Sequence, residues 1–394
     1  MNNINKRKIY IIYISALFLA GLLYWSKCIF HLSGDYYAHI EFTKLILNNK
    51  MTIMYPGFHY STAILHILFG IPVEFASSIV LTIAWVGSIF ATHMLLCEIR
   101  EENHKNYSIK LLLLSVLINI VQPIFTYSIR PGYSSGNGYI SPTQAACKPF
   151  IILSVCFFYK SYKNNKWTLK NQILLTLMLV LSCIFKPFFA MAFIPAIGLM
   201  ILVEYITSKH KEKHILLFIK KLIPLFISGI VLLVQFILSL NWVIPLPEYA
   251  GVASSKICIG WFVSWRLCVS NVFLSIIFAY AFPIVLLIYI LINKFKYRNI
   301  IINTSELVFG KISLYYGMIS FLYMAFLYQN NGYEKDCNFR NAWVVTYILV
   351  YTLCTEILFR ILKNQKKKHI YLLFGILSIH LFFGIILLAK NIVN

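Results

Sequence analysis

The sequence predicts an all-α polytopic membrane protein, and three observations lead to that fold class. The mean hydropathy is +0.76, and 60% of the residues are hydrophobic whereas only 12% are charged; soluble domains carry about 25% charged residues. Many apolar runs approach the roughly 20 residues that a helix needs to cross a bilayer. Aromatic residues recur along these runs without the alternation of a barrel strand. A helical bundle in a membrane is therefore favoured over a barrel or a soluble domain.

The positions of the basic residues predict the orientation of the chain. The formal net charge is +22, but most lysines and arginines lie in short loops between apolar runs, as the positive-inside rule requires. We therefore expect membrane lipids as partners and no nucleic acid. The basic segment 5–8 precedes the first apolar run. This places the N-terminus in the cytoplasm and the chain in the cell membrane as a multi-pass protein.

The first apolar run, residues 9–30, has no small-residue cleavage site after it. We expect a retained helix rather than a removed signal peptide. Residues 31–72 follow as one outer loop. Two stretches of that loop, 36–47 and 56–70, place apolar residues at helical spacing but are short for a membrane crossing. Both are predicted to be juxtamembrane helices that lie along the outer surface.

The basic loop 100–110 supports this interpretation. If residues 56–70 crossed the membrane, that loop would lie outside, against the positive-inside rule. The same rule orders the rest of the chain into a bundle of about eleven transmembrane helices. After the first, the predicted crossings are 73–97, 111–128, 149–158, two within 171–206 that separate at Lys186-Pro187, 222–244, 269–292, 312–328, 342–361 and 370–389. We expect residues 1–394 to form a single transmembrane domain, with no soluble domain.

Asp35 is the candidate catalytic residue. It is one of only two aspartates in the sequence, the other being Asp336. It stands just past the end of the first span, at the level of the lipid headgroups, where charged groups are costly and usually functional. A carboxylate in that position can accept a proton from an incoming hydroxyl or amine. The alternative is a solvated loop residue that happens to follow a helix.

A set of cations on the same predicted outer face is the candidate site for a lipid phosphate. Lys148 and Lys186 each precede a proline at an outer helix boundary, and Arg130 opens an outer loop. Lysine can meet a phosphate there, and arginine can bind one through two hydrogen bonds. Such charges stabilise a phosphate leaving group. We expect Arg130, Lys148, Lys186 and Arg340 to bind the phosphate, although each alone could be a lysine or arginine that snorkels to the interface.

Further outer-loop residues are predicted to contact substrate: His59, Tyr36, Glu41 and Asp336. His39, His59 and His66 share the first loop, which leaves open a divalent cation as cofactor. Their spacing does not match a tight helical histidine pair, so no metal site is predicted. Hydrogen bonding to a sugar or a headgroup is favoured. Tyr36 suits stacking on a sugar, and an aromatic belt at the interface predicts the same residue type.

These features together resemble a known superfamily. An acidic residue just after the first span, two juxtamembrane helices, and Tyr55-Pro56-Gly57-Phe58 at the start of the second are similar to the GT-C superfamily of polytopic glycosyltransferases. That superfamily includes protein mannosyltransferases and the aminoarabinose transferase of lipid A. Lys148-Pro149-Phe150, Lys186-Pro187-Phe188 and the stretch 337–341 resemble a bacterial group of membrane proteins associated with it.

The resemblance implies a GT-C-like bundle, a polyprenyl-phosphate sugar as donor and Asp35 as the catalytic acidic residue of the first outer loop. The expected acceptor is a cell-surface glycan, lipid or wall polymer, which attacks on the extracytoplasmic side with inversion. The chain departs from the superfamily in having no second acidic residue beside Asp35 and no large C-terminal soluble domain. The resemblance therefore carries over neither a metal nor a protein acceptor.

Two other functions stay open. An O-antigen-type polysaccharide polymerase would share the lipid phosphate but would depend on outer arginines such as Arg130 more than on Asp35. A lipid or solute transporter, or a flippase, would need charged or polar residues midway along several spans. Such residues are sparse, and Glu204 and Glu356 lie near predicted inner ends.

Overall fold

The computed structural model describes residues 3–30, 35–100, 109–121, 141–208, 211–241, 256–294, 304–330, 335–336, 338–364 and 371–393. These residues form fifteen helices and three short strands. The helices are α1 (Asn3–Phe30), α2 (Asp35–Leu47), α3 (Gly57–Phe69), α4 (Val73–Arg100), α5 (Ile109–Ile120), α6 (Pro142–Lys163), α7 (Leu169–Phe185), α8 (Phe188–Thr207), α9 (Lys211–Asn241), α10 (Val263–Cys268), α11 (Val272–Ala279), α12 (Ala281–Lys294), α13 (Thr304–Phe326), α14 (Arg340–Asn364) and α15 (Tyr371–Val393).

Six helices of the described residues are long and apolar enough to cross a membrane, and they belong to α1, α4, α8, α9, α13 and α14. The pair α11 and α12, bent by 67°, makes a seventh if it counts as one span. The all-α polytopic fold class is therefore confirmed. The other predicted crossings coincide with α6 and with three shorter apolar helices in α5, α7 and α15. The number of about eleven crossings stays a prediction.

The core lies where α4, α6, α8, α13 and α14 meet. In α14, 83% of the most apolar stretch is buried, against 17% in α1. The central cluster includes Phe189 and Phe193 of α8, Tyr159 of α6 and Tyr316 of α13. Tyr316 donates a hydrogen bond to the carbonyl oxygen of Ala342 at 2.8 Å. Contacts between aromatic rings and the hydrogen bond of the Tyr316 hydroxyl stabilise the packing of these helices.

The predicted turn at Lys186-Pro187 is confirmed, because α7 ends at Phe185 and α8 begins at Phe188. A residue before proline is disfavoured in the helical region. Lys186 accordingly adopts extended backbone with φ −163° and ψ 102°. Its N–H still bonds to the Ser182 carbonyl at 2.8 Å, which completes the last turn of α7.

The two helices predicted in the first outer loop are α2 and α3. Each has 13 residues, or roughly 20 Å of helix, against a hydrocarbon core of about 30 Å. Gly70 ends α3 in the left-handed region with φ 62°, which glycine adopts without strain. Tyr36 and Ile40 of α2 share a buried cluster with Phe58 of α3. The two helices therefore pack on the bundle through apolar side chains.

A small antiparallel sheet was not predicted from the sequence. It consists of β1 (Lys256–Ile259), β2 (Leu327–Asn330) and β3 (Lys335–Asp336), in the order β1-β2-β3. In β1 and β2, Lys256 pairs with Asn330, about seventy residues further along the chain. Strands this short carry little periodic signal, and their pairing depends on where the flanking helices bring them.

Ion pairs lie at one end of the bundle, in the last turns of α4, α6, α8 and α14 and in the first turns of α9 and α13. We call this region the ion-pair end. The pairs are Glu98–Lys160 at 2.5 Å, Arg100–Glu356 at 2.6 Å, Glu204–Lys221 at 2.9 Å, and Glu306–Arg360. Buried carboxylates such as Glu306 and Glu356, both about 5% exposed or less, are costly unless a cation satisfies them.

Candidate functional site

The opposite end of the bundle holds two histidines and a lysine, which come together where α2 and α3 meet the turn between α7 and α8. His39 Nδ1 lies 3.0 Å from His59 Nε2, and their ring centroids are 5.1 Å apart. The Lys186 charge acts on both rings. We call His39, His59 and Lys186 the histidine–lysine cluster. In sequence, His39 and His59 are 20 positions apart, and His59 and Lys186 are 127 positions apart.

Local packing explains the histidine pair. His39 is on α2, and Thr43 one turn later donates its hydroxyl to the His39 carbonyl at 2.9 Å. His59 is in the first turn of α3 and is fully buried. The edges of Phe42 and Phe58 pack on His39, with centroids 5.6 and 6.2 Å away. These aromatic contacts fix the imidazole planes.

Lys186 is a buried ammonium, with 5% of the residue exposed. Its Nζ lies 4.8 Å from the ring centroid of Tyr55 and 5.9 Å from that of Phe188. Aromatic faces attract an ammonium. No carboxylate of the described residues lies within ion-pair distance of Lys186. Because a buried charge is costly unless paired, this arrangement suits an anionic group.

The segment that carries Tyr55 is fixed to the α7 terminus. A Cβ atom added to Gly57 would lie 2.6 Å from the Phe185 ring, so only glycine permits this contact. Gln235 of α9 donates to the carbonyls of Met54 at 3.4 Å and Cys183 at 3.2 Å. Its amide therefore links the outer loop, α7 and α9 beside the cluster.

The two histidines are neutral over the physiological range. Burial, the neighbouring His59 and the charge of Lys186 hold the pKa of His39 well below its ordinary value. Burial and Lys186 lower the pKa of His59 to about 3. A neutral imidazole carries one hydrogen, so one ring donates to the other. His59 Nδ1 is buried and has no hydrogen-bond partner in the described part of the chain.

The predicted base Asp35 is the first residue of α2 and is exposed. It stands four residues before His39, so both lie on one side of α2. Tyr36 is buried, and its ring centroid lies 6.2 Å from that of Trp25 in α1. Glu41 forms an ion pair with Lys44 at 3.0 Å. The same Lys44 also binds Glu74 at 3.0 Å.

The predicted cations fall in three places. Lys148 is buried in α6, and its neighbour Cys147 donates its thiol to the Lys186 carbonyl at 3.7 Å. Arg340 begins α14; next to it, Phe339 packs its ring 5.9 Å from that of Phe188. Arg130 lies outside the described residues.

Asp336 is opposite Gln329 in the small sheet. The structure thus brings Lys148 and the start of α14 to the same end of the bundle as Lys186 and His59.

Sequence analysis did not select Tyr55 or Gln235 as site residues, and it grouped His39 with His59 and His66 without predicting the contact between His39 and His59. The Tyr-Pro-Gly stretch was the available signal for Tyr55. His39 and Gln235 acquire their roles only through contacts between helices, which helical periodicity does not reveal.

A divalent cation does not suit the cluster. Among the described residues, no group of three or more histidine, cysteine, aspartate or glutamate side chains is positioned to hold a metal ion. His66, the third histidine of the loop, binds the Ile71 carbonyl at 2.6 Å at the far end of α3. The charge of Lys186 beside His39 and His59 also opposes a second cation.

Comparisons with known proteins found likenesses in structure, to five chains, and none in sequence. The sequence matches no protein-family model and no curated protein. The chain is similar in structure to the Archaeoglobus fulgidus oligosaccharyltransferase in its apo form, with a TM-score of 0.48 and 11% sequence identity. The match covers 96% of this chain and 56% of that one, so the chain spans about half the length of that protein.

Proposed function

We propose that the chain is a membrane glycosyltransferase. It takes a sugar from a polyprenyl-phosphate donor and transfers it to a glycan, lipid or wall-polymer acceptor on the extracytoplasmic side. The observation that carries the proposal is the buried Lys186 ammonium, which lies beside a neutral histidine pair and has no carboxylate partner among the described residues. The donor phosphate would supply the missing negative charge.

The cluster would bind the phosphate through complementary groups. Lys186 neutralises its charge, and the rings of Tyr55 and Phe188 hold the ammonium in place. In the tautomer in which His39 Nδ1 donates to His59 Nε2, His59 carries its hydrogen on Nδ1. That buried N–H can then donate to a phosphate oxygen. Lys148, Arg130 and Arg340 are proposed as further phosphate contacts.

Asp35 is proposed as the general base. It accepts the proton of the acceptor hydroxyl or amine. The freed electron pair attacks the anomeric carbon as the bond from that carbon to the phosphate oxygen breaks. The departing electron pair stays on the phosphate, where Lys186 stabilises the negative charge. Asp35 lies one turn before His39, so both residues lie on one side of α2. This position supports a base at Asp35 next to a phosphate site at the histidine–lysine cluster.

The proposal is tested with the full chain in proteoliposomes, a panel of radiolabelled polyprenyl-phosphate sugars and a crude envelope acceptor fraction. Asp35→Asn should lower transfer about 100-fold or more, as loss of a general base does. Binding of undecaprenyl phosphate should be unchanged. The matched control is Glu74→Gln, a carboxylate at the same end that is paired with Lys44.

Full transfer activity in Asp35→Asn would refute the role of Asp35. Lipid movement across the bilayer without a chemical product would support a flippase instead, and joined repeat units would support a polymerase.

A further inference from the structure

A cavity at the ion-pair end is separate from the histidine–lysine cluster. Its volume is about 370 Å³, and it lies between the ends of α6 and α8 and the first half of α9. One wall is apolar, with Ile201, Leu217 and the ring of Phe218, which packs 4.5 Å from that of Tyr205. The other wall is polar and carries Tyr162, Glu204 and Lys221.

The polar wall, together with a lysine behind it, carries more positive than negative charge. Glu204 accepts from Lys221 at 2.9 Å and from the Tyr162 hydroxyl at 3.1 Å. Lys311 of α13 donates to the same hydroxyl at 3.1 Å, and no carboxylate of the described residues lies within ion-pair distance of it. Two ammonium groups and one carboxylate thus surround one phenol ring, whose centroid lies 5.0 Å from Lys221 and 5.8 Å from Lys311.

The surroundings increase the positive potential. The sequence that flanks the cavity is basic in 160–170 and again in 209–221, and the positive-inside rule places such loops at the anionic cytoplasmic leaflet. Lys221 is also largely desolvated, with 11% of its side chain exposed. An ammonium with little water around it attracts an anion more strongly than an exposed one.

We propose that this cavity binds a phosphate group, carried by the headgroup of an anionic membrane lipid or by free phosphate, at Lys221. Lys311, bonded to the Tyr162 hydroxyl of the wall, adds positive charge behind the site. One negative charge would balance the excess positive charge of the wall. The apolar wall at Leu217 and Phe218 would then contact the acyl region of a lipid. Glu204 competes with the phosphate for Lys221, so its carboxylate weakens anion binding.

The test uses the full chain purified in a neutral detergent and titrated calorimetrically with short-chain phosphatidic acid, inorganic phosphate and short-chain diacylglycerol. The phosphatidic acid should bind saturably and the diacylglycerol should not. Lys311→Gln should weaken binding about fivefold, and Glu204→Gln should strengthen it by a similar factor, as expected for partly screened charges. Comparable affinity for inorganic phosphate would identify free phosphate as the source, and binding of the lipid alone would identify the headgroup.

The opposite signs of the two variants separate a binding role from a structural one. If Glu204 and Lys311 only held the helices together, both substitutions would weaken binding and lower thermal stability. Lys160→Gln is the matched control, because it removes a nearby lysine of α6 whose charge is already paired with Glu98. No saturable binding of either phosphate, or weaker binding in Glu204→Gln, would overturn the proposal.

Discussion

The two ends of the bundle treat buried charge differently. At the ion-pair end, Glu306 and Glu356 are nearly inaccessible, and each has an arginine partner. At the other end, Lys186 is equally buried but has aromatic rings and neutral imidazoles around it, with no carboxylate among the described residues. Both arrangements place charge where its solvation is poor. Among the described residues, only the first arrangement contains its own countercharge.

The difference separates structure from binding. A carboxylate and an arginine that satisfy each other stabilise one helix arrangement, and removal of one partner leaves an unpaired buried charge. The Lys186 ammonium has no carboxylate partner of this kind in the described part of the chain. Its substitution should therefore affect ligand binding far more than stability, and substitution of the buried carboxylate Glu306 or Glu356 should do the reverse. The predictions below follow from this contrast.

The largest effect is expected from Lys186→Met. The methionine retains most of the apolar volume but removes the charge, so binding of undecaprenyl phosphate should weaken about 100-fold, as for a lost charge-assisted contact in a buried site. Thermal stability in detergent should stay the same or rise. The measurement is a titration with fluorescently labelled undecaprenyl phosphate alongside a melting curve. Unchanged affinity would remove Lys186 from the site.

Glu356→Gln should show the opposite profile. It leaves the Arg100 guanidinium, now bonded at 2.6 Å to a carboxylate, without its countercharge, and we expect a loss of about 2–3 kcal/mol in the free energy of unfolding. Affinity for undecaprenyl phosphate in the folded fraction should not change. The measurement is denaturant unfolding followed by far-ultraviolet circular dichroism. An affinity loss equal to that of Lys186→Met would end the distinction between the two ends.

Gly57→Ala should displace the outer loop. The new methyl group would lie 2.6 Å from the Phe185 ring, and overpacking of this kind costs about 1–3 kcal/mol. Since residues 54–57 carry Tyr55 against Lys186, affinity for undecaprenyl phosphate should fall together with stability. The double variant with Phe185→Leu should recover part of both. A second substitution, Gly198→Ala, is the control, because a Cβ there meets no atom within 4 Å.

The smallest effect, over the first pH unit below about 6.5, is a dependence of stability on pH. The pKa of His59 is lowered in the folded state, to about 3, so between that value and about 6.5 the unfolded chain binds more protons. Stability is therefore full above about pH 6.5 and falls as the pH decreases through this window, by about 1.4 kcal/mol per pH unit for this group. His59→Gln should make the profile between pH 5 and 6.5 less steep, and the contribution of His39 should remain. A profile identical to that of the unmodified chain would contradict the buried neutral state.

Much of the fold follows from the sequence, because membrane helices have a strong local signal. The break at Lys186-Pro187, the two short helices of the first loop and the start of α4 at Val73 coincide with predicted boundaries. Apolar length and proline position determine each of these locally. The small sheet has no comparable signal, since its strands pair over about seventy residues.

Only part of the candidate site could be predicted from the sequence. Lys186 and His59 were predicted, because a lysine before proline and a histidine in a short helix are unusual in an apolar chain. The hydrogen bond between His39 and His59 depends on how α2 crosses α3, and side-chain spacing within one helix does not contain that angle. The roles of all these residues remain predictions; Asp35 is exposed at the first residue of α2, and Arg130 lies outside the described residues.

The proline after Lys186 makes this position suitable for side-chain chemistry. The extended backbone at residue 186 follows from its neighbour and not from its own side chain, and any L-amino acid adopts φ −163° without strain. Arginine, glutamine, norleucine or a photoreactive analogue can therefore be introduced there with the same main-chain path. A series of side chains of graded length at residue 186 would then measure how far the bound group lies from the backbone.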